Sequence, residues 1–338
     1  MKKYFKFLGF GLVLFLIILI MAEPEICKNR AISGILLSGR VIIPSTFPFT
    51  VCVLYLLKSG FCGNFGKKGE LFSIIILSFI GGYPIGAKLL NEQVKNNKLN
   101  SNQAEIMLRF CINAGPAFII GAVGNGIIGS VKIGYILFAS HILASLILFA
   151  FNFKTSLKTY KLSNKKAENP ADIFVSSVSE AANVSINICS FVIIFSVISG
   201  YMDLFSQKFA FLKYLSLSLE ITNAVSNTQN IYLISFLLGF AGISVWCQII
   251  SLAKEIKINL YSFVFFRILH GILSLIFTFC LIKLFKIALP CISNSVDLSG
   301  KAFYSTPVLT LSLFIMTIIF IISLFSKNCA GKLLDDVV

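Results

Sequence analysis

Few residues in this chain are able to do chemistry, and most of them stand where an apolar environment makes them costly. Glu105 precedes Arg109 by one helical turn, at the edge of an apolar run that starts at residue 110. With Glu leading at i,i+4, that spacing suits a local ion pair. Arg267 has no acid within a turn, and His270 follows at i+3 on the same helical face. Glu220 is the nearest candidate partner for Arg267, in the stretch Leu219-Glu220-Ile221-Thr222-Asn223. It is a candidate site residue, with Thr222 and Asn223 beside it; the alternative is a carboxylate at the water interface near Lys213. Ionisable groups inside apolar spans face an interior or a cavity and mark paths for solutes or ions.

Three helix breaks accompany these groups. Gly81-Gly82-Tyr83-Pro84 interrupts the run 71–87 near its middle. Asn113-Ala114-Gly115-Pro116 interrupts the run 110–131, and Pro116 frees the carbonyl near Ile112 because it has no N–H to offer it. Gly239-Phe240-Ala241-Gly242, followed by Ser244 and Gln248, is the third. Freed carbonyls, an Asn side chain and close backbone approach at glycine suit a polar solute or a cation. A plain kink at Pro and helix packing through small residues are the competing readings. Gly121, Gly124, Gly126 and Gly129 read as packing and a turn, since GxGxxG spacing is absent. No Ser-His, HExxH or paired-carboxylate constellation occurs, so an enzyme is not expected. Nine Cys without CxxC and two His without ligand spacing predict no metal or other cofactor.

The elements that must position these residues are membrane helices. Apolar residues make up 57% of the 338 and charged ones 13%, which excludes a soluble enzyme, a disordered chain and a disulfide scaffold. Mean hydropathy is +0.89. The apolar runs are 7–22, 41–57, 71–87, 110–131, 133–153, 181–202, 221–253, 258–282 and 302–326, about eight full spans plus broken elements. The net charge of +15 does not point to nucleic acid, because Lys punctuates apolar runs rather than forming a patch. With a cytoplasmic N-terminus, the stretches 1–6, 58–70, 88–100, 154–166, 254–257 and 327–332 hold 18 of the 29 Lys and Arg. That asymmetry predicts a multi-pass protein of the cell membrane with both termini cytoplasmic. Lys flanks run 71–87 on both sides, which together with its break predicts a re-entrant hairpin; a Pro-kinked crossing helix is the alternative. The first run lacks a small residue at −3 from Ala22 and reads as an uncleaved anchor.

The chain divides into an anchor at 1–25, a first membrane repeat at 26–153, a polar linker at 154–171, a second repeat at 172–326 and a tail at 327–338. Gly81 pairs with Gly239 and Arg109 with Arg267, both at an offset of 158. Weak internal similarity with interrupted helices points to a transporter-type core. The fold class is therefore an all-α polytopic membrane protein, with about 8–10 hydrophobic segments in two related halves with broken or re-entrant helices.

The blocks GGYPIGAKL, RFCINAGPAFIIGAVG, LEITNAV, FLLGFAGISVWCQ and RILHGI, in that order, resemble the sporulation integral membrane proteins of the YlbJ type, within the nucleoside-recognition GATE-domain group. The resemblance covers roughly residues 26–325 and is distantly similar to concentrative nucleoside transporters. It implies that Gly81–Pro84 and Gly239–Gly242 lie near a central site. Where nucleoside transporters carry Gln-Thr-Glu at the first hairpin this chain has Tyr83, Pro84 and Ile85, and Gly242 stands in place of an Asn. The polar groups that recognise a nucleoside are thus missing. The implied function is a transporter-like protein of spore formation, with the spore cortex the family theme, moving or sensing a small polar solute with a coupling ion. Its partners are the lipid bilayer and a second copy or a spore-envelope protein. A non-transporting scaffold that recruits spore-envelope proteins, with linker 154–171 as its handle, and a vegetative secondary transporter are the alternative readings.

Overall fold

The computed structural model describes residues 2–60, 66–156, 169–228 and 230–287. Among them every regular element is a helix. Hydrocarbon demands this, because a helix satisfies its own backbone and an isolated strand does not. Helix α1 (Lys2–Ala22) is followed by α2 (Pro24–Leu37), and a wide π stretch, Ser38–Ile42, leads into α3 (Ile43–Lys58). Pro44 has no N–H for the carbonyl four residues back, and a bulge beside it accommodates the missing bond. Next come α4 (Gly66–Gly81), α5 (Tyr83–Lys95) and α6 (Ser101–Cys111). A second π stretch, Ala117–Ile127, leads to α7 (Val131–Ser156). Then follow α8 (Pro170–Ser206), α9 (Phe211–Leu219), α10 (Ile221–Ser226), α11 (Ile231–Phe240), α12 (Gly242–Leu252) and α13 (Leu260–Leu284). Asn100, Asn169, Asn230 and Asn259 start α6, α8, α11 and α13, each side chain accepting from a first-turn N–H.

Among the described residues, five segments are long and apolar enough to cross a membrane: Pro24–Lys58, Val131–Asn152, Pro170–Ser206, Ile231–Leu252 and Leu260–Leu284. Three shorter apolar helices, Gly9–Ala22, Gly69–Gly81 and Ala117–Ile127, complete the set. The chain is an all-α polytopic membrane protein, with fewer segments of full crossing length here than the eight expected. Runs 71–87 and 110–131 account for part of the difference, since each is interrupted at Gly82 and at residues 112–115 respectively. Run 302–326, the tail 327–338 and residues 157–168 of the linker lie outside the described residues.

Run 71–87 is a hairpin rather than a kinked rod. A Cβ on Gly86 would meet Ser78 Cβ at 3.3 Å, so the two arms face each other across Gly82. Lys98 Nζ bonds Glu70 Oε1 at 2.6 Å and ties the far ends of the arms together. The same end of the bundle gathers Lys58, Lys88 and Glu180, and Asn91 and Ser101 accept from the N–H groups of Glu255 and Lys257. Stretches 58–70, 88–100 and 254–257, which the charge count groups, thus share one end. At the other end Arg30 meets Asp203, and the Tyr201 hydroxyl donates to the Glu23 carbonyl.

Packing sorts the helices into two neighbourhoods. Helices α2 and α3 lie along α8, with Gly34 so close that a Cβ would stand 2.9 Å from Ile193 Cα. Helix α7 packs on α6, on Ala117–Ile127 and on α13, and α13 packs on α11. Between α11 and α13 a Cβ on Gly239 would fall 2.6 Å from Gly271 Cα, and Ser235 Oγ bonds Ser274 at 2.9 Å and Thr278 at 2.7 Å. Small residues let the backbones close, and hydroxyls join them where lipid offers no partner. Apolar side chains of α1 and of the outer face of α13, such as Phe10, Phe15, Phe265 and Ile272, stay exposed, as a lipid-facing surface does.

Candidate functional site

The α4–α5 tip is made by Gly82, at φ 88° and ψ 178°, a backbone that only glycine adopts freely. The tip sits against the break after α6: a Cβ on Gly115 would meet the Ile80 carbonyl at 3.1 Å and Gly82 N at 3.4 Å. One turn into α5, a Cβ on Gly86 would run into the Cys111 carbonyl. Two breaks from different elements therefore meet backbone to backbone.

A second pair meets opposite them. Glu220 is extended between α9 and α10, and its carboxylate caps α10, accepting from Thr222 N at 3.1 Å and Asn223 N at 2.7 Å. The Asn223 side chain donates to Ser196 Oγ of α8 at 3.1 Å. Between α11 and α12 the chain turns at Ala241 and Gly242, with φ of 74° and 73°. A Cβ on Gly242 would stand 3.3 Å from Ile221 N, so this break touches the Glu220 turn. The Tyr83 hydroxyl spans the two pairs and donates to the Leu238 carbonyl at 2.5 Å, in the last turn of α11.

Between the pairs lies a small, half-open cavity of about 60 Å³. Of the residues expected at a site, Gly81, Gly82, Tyr83, Pro84, Glu220, Thr222 and Gln248 line it. Gly115 and Thr46 line it as well, neither of them singled out from sequence. The remaining wall includes Ile42, Phe118, Ile188, Val192 and Val245. Gln248 Nε2 reaches Ser244 Oγ at 3.4 Å from the α12 side. A mainly apolar wall with a few polar groups converging from helix ends is the usual make-up of a small-molecule site. Asn113 and Pro116 flank Gly115 without lining the cavity, and Gly242 abuts its Glu220 wall from behind.

Arg267 and His270 sit elsewhere. Arg267 is 0% exposed and donates to the carbonyls of Ile112 at 2.7 Å and Arg109 at 2.6 Å. The carbonyl that Pro116 frees is thus taken by a guanidinium from α13. The expected Arg267–Glu220 pair does not form, because Glu220 is engaged by the first N–H groups of α10. A cation on the last carbonyls of α6 is favoured by the negative end of that helix. His270 Nε2 donates to the His141 carbonyl at 3.2 Å, the two imidazoles stack at 4.4 Å, and His141 Nε2 accepts from Ala114 N at 2.9 Å. Asn113 Nδ2 and Ser145 Oγ both donate to the Phe110 carbonyl, at 2.7 and 2.6 Å. His141 was not legible as a partner, since nothing in α7 marks the break it supports. Arg109 forms the local pair its spacing predicts, 3.2 Å from Glu105, and also donates to Asn152 at 3.0 Å. Gly239 serves the α11–α13 contact. Among the described residues no three His, Cys, Asp or Glu side chains come together as a metal-binding set.

No family model and no solved structure matches the chain. It is similar to the sporulation integral membrane protein YlbJ of Bacillus subtilis (strain 168), at 23% identity over 332 aligned residues that cover 80% of this chain and 81% of that protein. An alignment covering that share of the chain takes in all four breaks, from Gly82 to Ala241. At that identity, the chain is similar to a sporulation integral membrane protein of the YlbJ type.

Proposed function

We propose that this protein acts in spore formation as a membrane protein with a transporter-like core that moves or senses a small polar solute. The observation that carries the reading is the cavity, where four chain breaks converge on Glu220, Thr222 and Gln248 inside an otherwise apolar bundle. Interrupted helices whose ends converge on one internal site are the hallmark of secondary transporters. The order of elements supports two related halves. A long helix, a hairpin, a broken helix and a long helix occur as α2–α3, α4–α5, α6 with its π stretch, and α7. The same order returns as α8, α9–α10, α11–α12 and α13. By that order the Gly82 tip corresponds to the Glu220 turn, and the break at 112–115 to the one at Ala241. The basic end faces the cytoplasm in this reading, with the solute and a coupling ion passing between the ends. The relative's name supports the sporulation setting. The reading gives the chain no enzymatic step.

The test is the yield of heat-resistant spores after deletion of the gene in its own host, with rescue by wild type and by Glu220→Gln. A loss of yield rescued only by wild type supports a sporulation role that needs the cavity carboxylate. Normal yield after deletion sinks the sporulation setting. Full rescue by Glu220→Gln sinks the cavity as the working site.

A further inference from the structure

Helix α8 carries Glu180 towards one end and Asp203 near the other, and each gathers partners in the same way. Glu180 accepts from Lys58 Nζ of α3 at 2.6 Å and lies 3.4 Å from Lys88 Nζ of α5, which also holds Glu92 at 2.9 Å. Asp203 accepts from Arg30 Nη2 of α2 at 2.8 Å and from Ser216 Oγ of α9 at 2.7 Å. Gly200 leaves the room that the Arg30 stem fills. At each end, then, an α8 carboxylate joins a base from the α2–α3 element to a polar group on a hairpin arm. The cavity lies between them: Ile188 and Val192 of α8 line it, about 12 Å from Glu180 and about 16 Å from Asp203 along the helix axis. The acids are one-third exposed, 33% for Glu180 and 36% for Asp203, and pairs so placed break readily.

We propose that these are two opposing latches on one cavity. The Glu180 latch pins the α4–α5 hairpin to the α3–α8 wall and closes the basic end. The Asp203 latch pins α9 to the α2–α8 wall and closes the other end. Release of one opens the cavity to one side while the other stays shut. The proposal rests on the reading of the cavity as a solute site reached from either side.

The test places a thiol on the wall with Thr46→Cys in the full-length chain. A membrane-impermeant maleimide is applied to intact cells and to inside-out vesicles, and modification is read at residue 46 by mass spectrometry. Glu180→Gln is expected to raise modification several-fold from one side, and Asp203→Asn several-fold from the opposite side. Lys58→Gln and Arg30→Gln, which remove the other partner of each latch, are expected to repeat the respective patterns. Equal shifts from the same side, or no shift in either latch variant while the parent Thr46→Cys chain reacts, overturn the latches and leave the solute-site reading standing. A residue 46 thiol that stays unreactive from both sides in every variant overturns the cavity reading itself, and the latches with it.

Discussion

The cavity and the Arg267 cluster are both polar islands in an apolar bundle, and their polar atoms are committed differently. In the cluster, a guanidinium and the His141 imidazole hold the carbonyls and the Ala114 N–H of a broken helix, and the His270 imidazole stacks on His141 and donates to its carbonyl. In the cavity, Tyr83, Thr222 and Gln248 stand on a wall that belongs to several elements at once. Buried charge in a membrane protein therefore has two separable uses. One completes a backbone that lipid leaves unsatisfied, and the other, in the function proposed above, shapes a space for a solute. Arg267, read from sequence as a site residue, belongs to the first kind by its contacts.

Substitutions can break or sharpen that contrast. Arg267→Met leaves two buried carbonyls without a donor, at about 1–3 kcal/mol each, so a loss of roughly 4 kcal/mol is expected. Thermal unfolding in detergent micelles reads it, and an unchanged midpoint would return Arg267 to the cavity group. Gly86→Ala forces a methyl onto the Cys111 carbonyl and is expected to cost about 3 kcal/mol, the upper range for overpacking. The same unfolding assay reads it, and a milder cost would mean that the hairpin can slide on α6. Asn230→Ala removes the α11 cap, for about 1 kcal/mol, and should not affect the cavity. Glu220→Gln keeps an acceptor for one of the two α10 N–H groups and leaves the other unmet, for about 1 kcal/mol, the lower end of the cost of an unmet buried donor. Its effect should appear in spore yield instead. A folded Glu220→Gln chain that lacks function, beside an Arg267→Met chain that lacks stability, is the sharpest form of the comparison.

Much of this was legible in the sequence, and the rest was hidden for a definite reason. Gly82 and Pro84 announce a tip because no other pair of residues so disfavours a continuous helix, and Pro116 announces a free carbonyl because it has no N–H. Glu220 is conspicuous as an acid between apolar runs. What takes the Ile112 carbonyl was not legible, since Arg267 lies 155 residues away. Thr46 and His141 sit in runs that are apolar all round, where periodicity does not say which face is inward. Gly239 and Gly242 look alike in sequence, yet one lets two long helices touch and the other backs a turn. The matched offset of Arg109 and Arg267 joins residues on α6 and α13, elements of 11 and 25 residues, so spacing alone did not separate a related pair from a coincidence.

The reach of Arg267 to the α6 carbonyls bears on how the protein is made. When the ribosome has delivered the first half into the bilayer, the carbonyls of Arg109 and Ile112 are present and their donor has not yet been synthesised. The nascent first half must wait in a provisional state, with that break kept near water or near the insertion machinery, until α13 arrives to close it. An expressed fragment ending before residue 260 is then expected to insert and yet remain degradable, and co-expression of the α13 segment should protect it.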